Sequence, residues 1–171
     1  MKLATVLSLS LLVPFTFAQD KMAADAKAMA HGSHANFKAS TQQMADDWKA
    51  AYQAKDADKI AAMYSSDAIW INAEGTFHGP TEIKAELKKM IDRGDGVDEI
   101  TTTKSVHFGS IAYSEGTFSG TAPDKSGKQS PAAGSWVVSM RQDNGKWMLV
   151  AHTSVPTPGA SSMAKSAKKP E

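Results

Sequence analysis

The chain has 171 residues, with 19 Lys and Arg against 18 Asp and Glu, no cysteine and four tryptophans. This length suits one soluble globular domain with an extension at each end, and two full domains would be cramped. A formal net charge of +1, with Arg93 and Arg141 the only arginines, argues against a nucleic-acid partner; the absence of cysteine excludes disulfides, thiolate metal sites and cysteine nucleophiles.

Residues 1–18 place Lys2 ahead of an apolar run from Leu3 to Val13, followed by Pro14 and the small-residue site Thr16-Phe17-Ala18. This pattern reads as a secretory signal peptide, since the run falls short of the roughly 20 apolar residues that span a bilayer. The expected localisation is therefore periplasmic or secreted, with no stable membrane anchor after cleavage. Loss of Lys2 leaves equal numbers of acidic and basic groups. Residues 19–35 read as a flexible linker. Its His31 and His34, with Met22 and Met29, are taken as solubilising residues, so no metal is expected. Residues 156–171, with Lys165, Lys168 and Lys169, read as a disordered basic tail. The domain between, residues 36–155, has a common domain size of about 120 residues.

Within it, Phe37, Met44, Ala45, Trp48, Ala51 and Tyr52 form a helical stripe, which predicts a first helix. Asp56 is placed to cap a short second helix over Ala57 to Ser65. Ala68 to Asn72 turns to β-branched and aromatic residues, and a turn at Ala73-Glu74-Gly75 makes a hairpin with Thr76 to His78. A third helix follows, with Thr81 as N-cap, Ile83, Leu87, Met90 and Ile91 on one face, and Arg93-Gly94 at its end. Four strands complete the domain: Ile100 to Ser110, Ile111 to Thr121, Ala133 to Arg141 and Lys146 to Val155. The last two are joined by the turn Gln142-Asp143-Asn144-Gly145. Segregation of helices from a long-stranded meander predicts an α+β fold, with three N-terminal helices packed against a curved antiparallel sheet.

The segment WKAAYQAKDADKIAAMYSSDAIWINAEGTFHGPTEIKAELKKM, followed later by GSWVVSMRQDNGKWMLVAHTS, resembles the SnoaL-like branch of the nuclear transport factor 2-like superfamily. The matching features are the helix-one aromatic, the Lys55-Asp56 turn, the Tyr64 to Ala68 passage into a strand, Gly79 with Glu82-Ile83, and the closing Gly145-Lys146-Trp147 hairpin. The resemblance implies a cone-shaped α+β barrel of the ketosteroid isomerase-like kind enclosing a pocket, and a homodimer packed through the sheet. It implies no single activity and no cofactor, because one such cone serves isomerases, cyclases, dehydratases and assembly domains.

Aligned with ketosteroid isomerase-like members, the position of the carboxylate base falls on Asn72, that of the helix-one tyrosine on Trp48, and that of the strand-borne acid near Trp136 or Val137. An amide does not abstract a proton at neutral pH, so the isomerase mechanism is not expected. Acid/base chemistry would fall to His152, which shares strand parity with Met148, Val150 and Ser154, with Glu115 or Tyr113 orienting it and Asn72 assisting; His78 and His107 are weaker candidates. The more persuasive constellation is aromatic. Trp48, Tyr52, Tyr64, Trp70, Phe77 and Trp136, with Asn72 and His152 as polar groups, would converge on a pocket for a small hydrophobic or amphipathic molecule. A binding module is thus the first expectation, a small pocket enzyme of the isomerase, polyketide cyclase or dehydratase type using His152 and Asn72 the second, and an oligomeric assembly module the third.

Overall fold

The computed structural model describes residues 36–157. The signal-peptide, linker and tail assignments for residues 1–35 and 158–171 lie outside the described residues. Helix α1 covers residues 36–53 and is followed by a short α2, Ala57–Ala61. Asp56 caps α2, its side chain accepting a hydrogen bond from the Lys59 N–H at 2.9 Å. Helix α2 stops earlier than the expected Ser65, because Tyr64 already pairs with Leu149, and the Leu149 N–H donates to the Met63 carbonyl. Strand β1, Tyr64–Asn72, turns tightly into β2, Gly75–His78. Helix α3, Gly79–Arg93, starts two residues before the expected cap Thr81, with Pro80 in its first turn, where a missing N–H costs nothing. The His78 N–H is met by the Glu82 carboxylate at 2.8 Å, and Gly94 closes the other end.

The remaining chain is a meander of β3 (Gly96–Phe108), β4 (Ile111–Pro123), β5 (Gln129–Asp143) and β6 (Lys146–Pro156). Asn144 and Gly145 both have positive φ, 51° and 81°, the conformation that a two-residue hairpin turn requires. The strands run longer than expected: Pro156, assigned to the tail, ends β6, and the Thr157 N–H beyond it donates to the Ala133 carbonyl.

The six strands form one sheet in the order β2-β1-β6-β5-β4-β3. The expected antiparallel sheet is corrected here to a mixed one, since β1 and β6 are parallel. After β2 the chain leaves one edge through α3 and begins the meander at the other. Three reversals then bring β6 back beside β1 in the same direction. The third helix also follows the first hairpin, so the helices do not form one N-terminal block.

One face of the sheet is covered. Trp70, Ile60, Ile83, Leu87 and Met140 are fully buried, each contributing about 1.5–3 kcal/mol of burial free energy. Helix α1 is tied to β3 by polar side chains. Gln42 donates to the Ile100 carbonyl and accepts from the Thr102 N–H, and Gln53 donates to the Val97 carbonyl. Two glycines in the long strands take the place of side chains. Gly116 lies opposite Trp136, and Gly134 opposite Phe118. A Cβ on Gly116 would fall 2.6 Å from the Trp136 ring, and one on Gly134 2.5 Å from the Phe118 ring, so each indole or phenyl lies against bare backbone of the next strand.

Candidate functional site

Between α1 and the covered face of the sheet lies a cavity of about 130 Å³. Helix α1 supplies Thr41, Met44, Ala45 and Trp48, the i, i+3, i+4, i+7 spacing of one helical face. Strand β5 supplies Trp136, Val138 and Met140, at the two-residue period of one sheet face. Phe118 and Trp70 complete the aromatic wall, Met90 of α3 contributes to the rim, and no lining residue carries a formal charge. The size is close to that of an apolar protein cavity of about 150 Å³ that stays dry and accepts benzene.

The polar edge of this cavity is built around His152. Its Nδ1 lies 2.7 Å from the Tyr64 hydroxyl, and its ring stacks on Trp70 at 5.4 Å and 11°. The Trp70 Nε1–H donates to Ser154 Oγ at 3.2 Å. The Trp48 Nε1–H faces the Tyr64 hydroxyl, where it opposes the effect of burial on the phenol, and it is buried with no other partner. Burial pushes Tyr64 well above the usual tyrosine range and lowers His152 to about 4, because a charge on either ring would be enclosed in apolar surroundings. His152 is enclosed by protein yet only half-buried by area, since its accessible edge borders the cavity.

Of the residues singled out from sequence, Trp48, Trp70, Trp136 and His152 line the cavity, whereas Tyr52, Tyr64, Phe77 and Asn72 do not. Tyr64 stands behind His152 as its hydrogen-bond partner. Tyr52 stacks on Trp48 at 5.3 Å, and its buried hydroxyl has no partner. Phe77 packs on the far side of Trp70. Asn72 is spent on the β1–β2 turn: its Oδ1 accepts from the N–H groups of Glu74 and Gly75, and its Nδ2 donates to Glu86. Asn72 and His152 are therefore not brought together.

Nor do Glu115 and Tyr113 orient His152. They bond to each other at 2.8 Å on the opposite sheet face, where Tyr113 pairs with Ser139 and Glu115 with Val137. The parity of His152 with Met148 and Val150 fails for a physical reason. The register between β5 and β6 slips between the pairs Ser139–Ala151 and Met140–Leu149, so Leu149, not Val150, joins His152 in the cavity. His107 packs between Phe37 and Trp147, and His78 is exposed ahead of α3.

Sequence reasoning missed a second polar wall. Thr41, Ser105 and Ser114 form a buried hydroxyl chain, with O···O distances of 2.5 and 2.6 Å. Its ends lead to the Lys38 and Lys104 carbonyls. No sequence period marked it, because β3 shifts register between Thr102 and Lys104 and its buried Thr102 and Ser105 lie three residues apart. Among the described residues, no group of three or more His, Asp or Glu is placed to hold a metal ion, and no helix is long and apolar enough to cross a membrane.

A family model for the SnoaL-like domain matches residues 45–150, more than half of the chain. The chain belongs to the SnoaL-like domain family. Solved structures share the nuclear transport factor 2-like fold at low identity. A ketosteroid isomerase-like protein from Erwinia carotovora atroseptica is 19% identical with a TM-score of 0.60, covering 67% of this chain and 92% of that one. A conserved protein from Planctomyces limnophilus is 18% identical with a TM-score of 0.59, covering 72% and 96%. An NTF-2-like protein of unknown function from Shewanella oneidensis is 15% identical with a TM-score of 0.56, covering 66% and 93%. No curated protein matches the sequence. The SnoaL-like match begins at Ala45 on the cavity face of α1 and ends at Val150, just short of His152 and Ser154.

Proposed function

We propose that this SnoaL-like domain is an exported binding module for a small, uncharged, flat apolar molecule held between α1 and the sheet. The observation that carries this reading is the uncharged, tryptophan-walled cavity with polar groups at its margins. Residues 1–18 would deliver the domain out of the cytoplasm. The catalytic alternative is less well supported. A general acid or base works best with a pKa near the operating pH, and His152, held at about 4, is mostly neutral and weakly basic at pH 7. No carboxylate lines the cavity beside it.

Tryptophan fluorescence and thermal-shift titrations with toluene and indole test the reading. A saturable signal and a rise in Tm are expected, and both should disappear in Ala45→Phe, which fills the cavity. No saturable response in the wild type, or an equal response in Ala45→Phe, would refute it.

The exposed sheet face offers a surface for a second copy. Ile69, Ile71, Val137 and Val155 are 37–56% exposed, on neighbouring strands β1, β6 and β5. A two-fold pairing of this face would bury it in a homodimer. Light scattering tests that state.

A further inference from the structure

The hydrogen inventory around Tyr64 fixes which groups the cavity presents. Tyr64 is 2% exposed, so its hydroxyl hydrogen needs an acceptor within the protein. Of the two polar groups beside it, the Trp48 indole only donates, which leaves His152 Nδ1 at 2.7 Å. Tyr64 therefore donates to Nδ1, and the single hydrogen of the neutral imidazole sits on Nε2. Among the described residues Nε2 has no protein partner, and it belongs to a ring that borders the cavity. Stacking on Trp70 holds the ring plane. Burial keeps the second proton off the ring at neutral pH.

The rest of the polar lining has the same sense. Ser154 Oγ already accepts from Trp70, which leaves its own hydrogen to donate, whereas the Trp48 Nε1–H is buried against the Tyr64 hydroxyl and is not offered to the cavity. On the opposite wall, Thr41 and Ser114 donate to main-chain carbonyls and meet at Ser105, so their polar capacity is directed at the protein.

We propose that Tyr64 is a positioning residue that locks His152 as an Nε2–H donor, so that the cavity selects neutral flat molecules carrying a hydrogen-bond acceptor over isosteric hydrocarbons and over acids. This rests on the binding reading above and deepens it. A ketone oxygen meets the donors that the site supplies. A hydrocarbon leaves them unpaired, and a carboxylate brings an uncompensated charge into an apolar enclosure.

The test uses the full chain with acetophenone, its hydrocarbon isostere α-methylstyrene, and benzoate, titrated by tryptophan fluorescence at pH 7. Acetophenone is expected to bind about tenfold tighter than α-methylstyrene, the scale of one hydrogen bond, and benzoate more weakly than either. The ¹⁵N spectrum of His152 should show a protonated Nε2 and an unprotonated Nδ1. In Tyr64→Phe the ¹⁵N shifts should move toward a tautomer mixture and the preference for acetophenone should fall by about twofold, the loss expected when half of the rings carry their hydrogen on Nδ1, while α-methylstyrene affinity is retained. Binding of α-methylstyrene without a ketone preference, or a protonated Nδ1, overturns the tautomer proposal and leaves the binding reading standing. Failure of all three probes to bind overturns both. If Tyr64→Phe does not fold, the wild-type ¹⁵N spectrum and the wild-type affinity ratio decide.

Discussion

Acidification from pH 7 to 4.5 should destabilise the domain through one side chain. His152 is held at about 4 in the folded chain against 6.5 when free, because burial disfavours its cation. Between those values the unfolded chain binds the proton more readily than the folded one, so stability falls as pH falls, with a slope approaching about 1.4 kcal/mol per pH unit. Integrated from pH 7 to 4.5, the loss is about 2 kcal/mol, or on the order of 8 °C in Tm for a domain of this size. The window lies above the range where Asp67 contributes. Its hydrogen bond from Arg141 lowers it to about 2, so its share is lost only as pH drops below the usual 3.8. Urea unfolding at a series of pH values, for wild type and His152→Gln, measures the effect. Each protein is referred to its own value at pH 7, so the cost of the substitution itself cancels. His152→Gln should be flatter than wild type by about 2 kcal/mol across the window. Equal slopes in the two proteins would show that a buried neutral His152 is not the source of the acid sensitivity.

Gly116→Ala should destabilise the domain by about 3 kcal/mol in urea titrations, because its Cβ would meet the Thr101 carbonyl and the Trp136 ring. A change under about 0.5 kcal/mol would show that the strands yield there. Arg141→Gln should return the titration midpoint of Asp67 from about 2 toward the ordinary carboxylate range, followed by NMR; an unmoved midpoint would rule out Arg141 as the main cause. Val137→Lys, on the exposed sheet face, should lower the mass seen by light scattering from that of a dimer to that of a monomer. The same mass for both proteins would place any dimer contact elsewhere.

Local features of this fold were readable because they follow from neighbouring residues. The helical face of α1, the Asp56 cap, the Asn144-Gly145 turn and the alternation of Trp136 with exposed neighbours each follow from a period or a turn preference. What was hidden depends on long-range geometry. No residue marks β1 as parallel to β6, since strand direction is decided by how α3 carries the chain across the sheet. The slip near Val150 carries no Gly or Pro to announce it, and it reverses the parity of the residues before it. Tyr64 falls within the helical spacing that ends at Ser65 and among the aromatic residues expected at the pocket, but its pairing with His152 depends on β6 lying beside β1. Asn72 fell at the position of a catalytic base in related folds, but in this chain it is held by a tight turn.

The parallel pairing of β1 with β6 also sets the order in which the site can come into being. Tyr64 and His152 are 88 positions apart, and Trp70 and Ser154 are 84 apart. The strand that carries His152 is the last in the described chain, yet it occupies the middle of the sheet. A chain synthesised N-terminus first would have every other wall of the cavity made before this one arrived. The cavity is therefore completed only when the described domain is whole, since a chain cut short before β6 would lack both the polar edge and the central strand that aligns its neighbours.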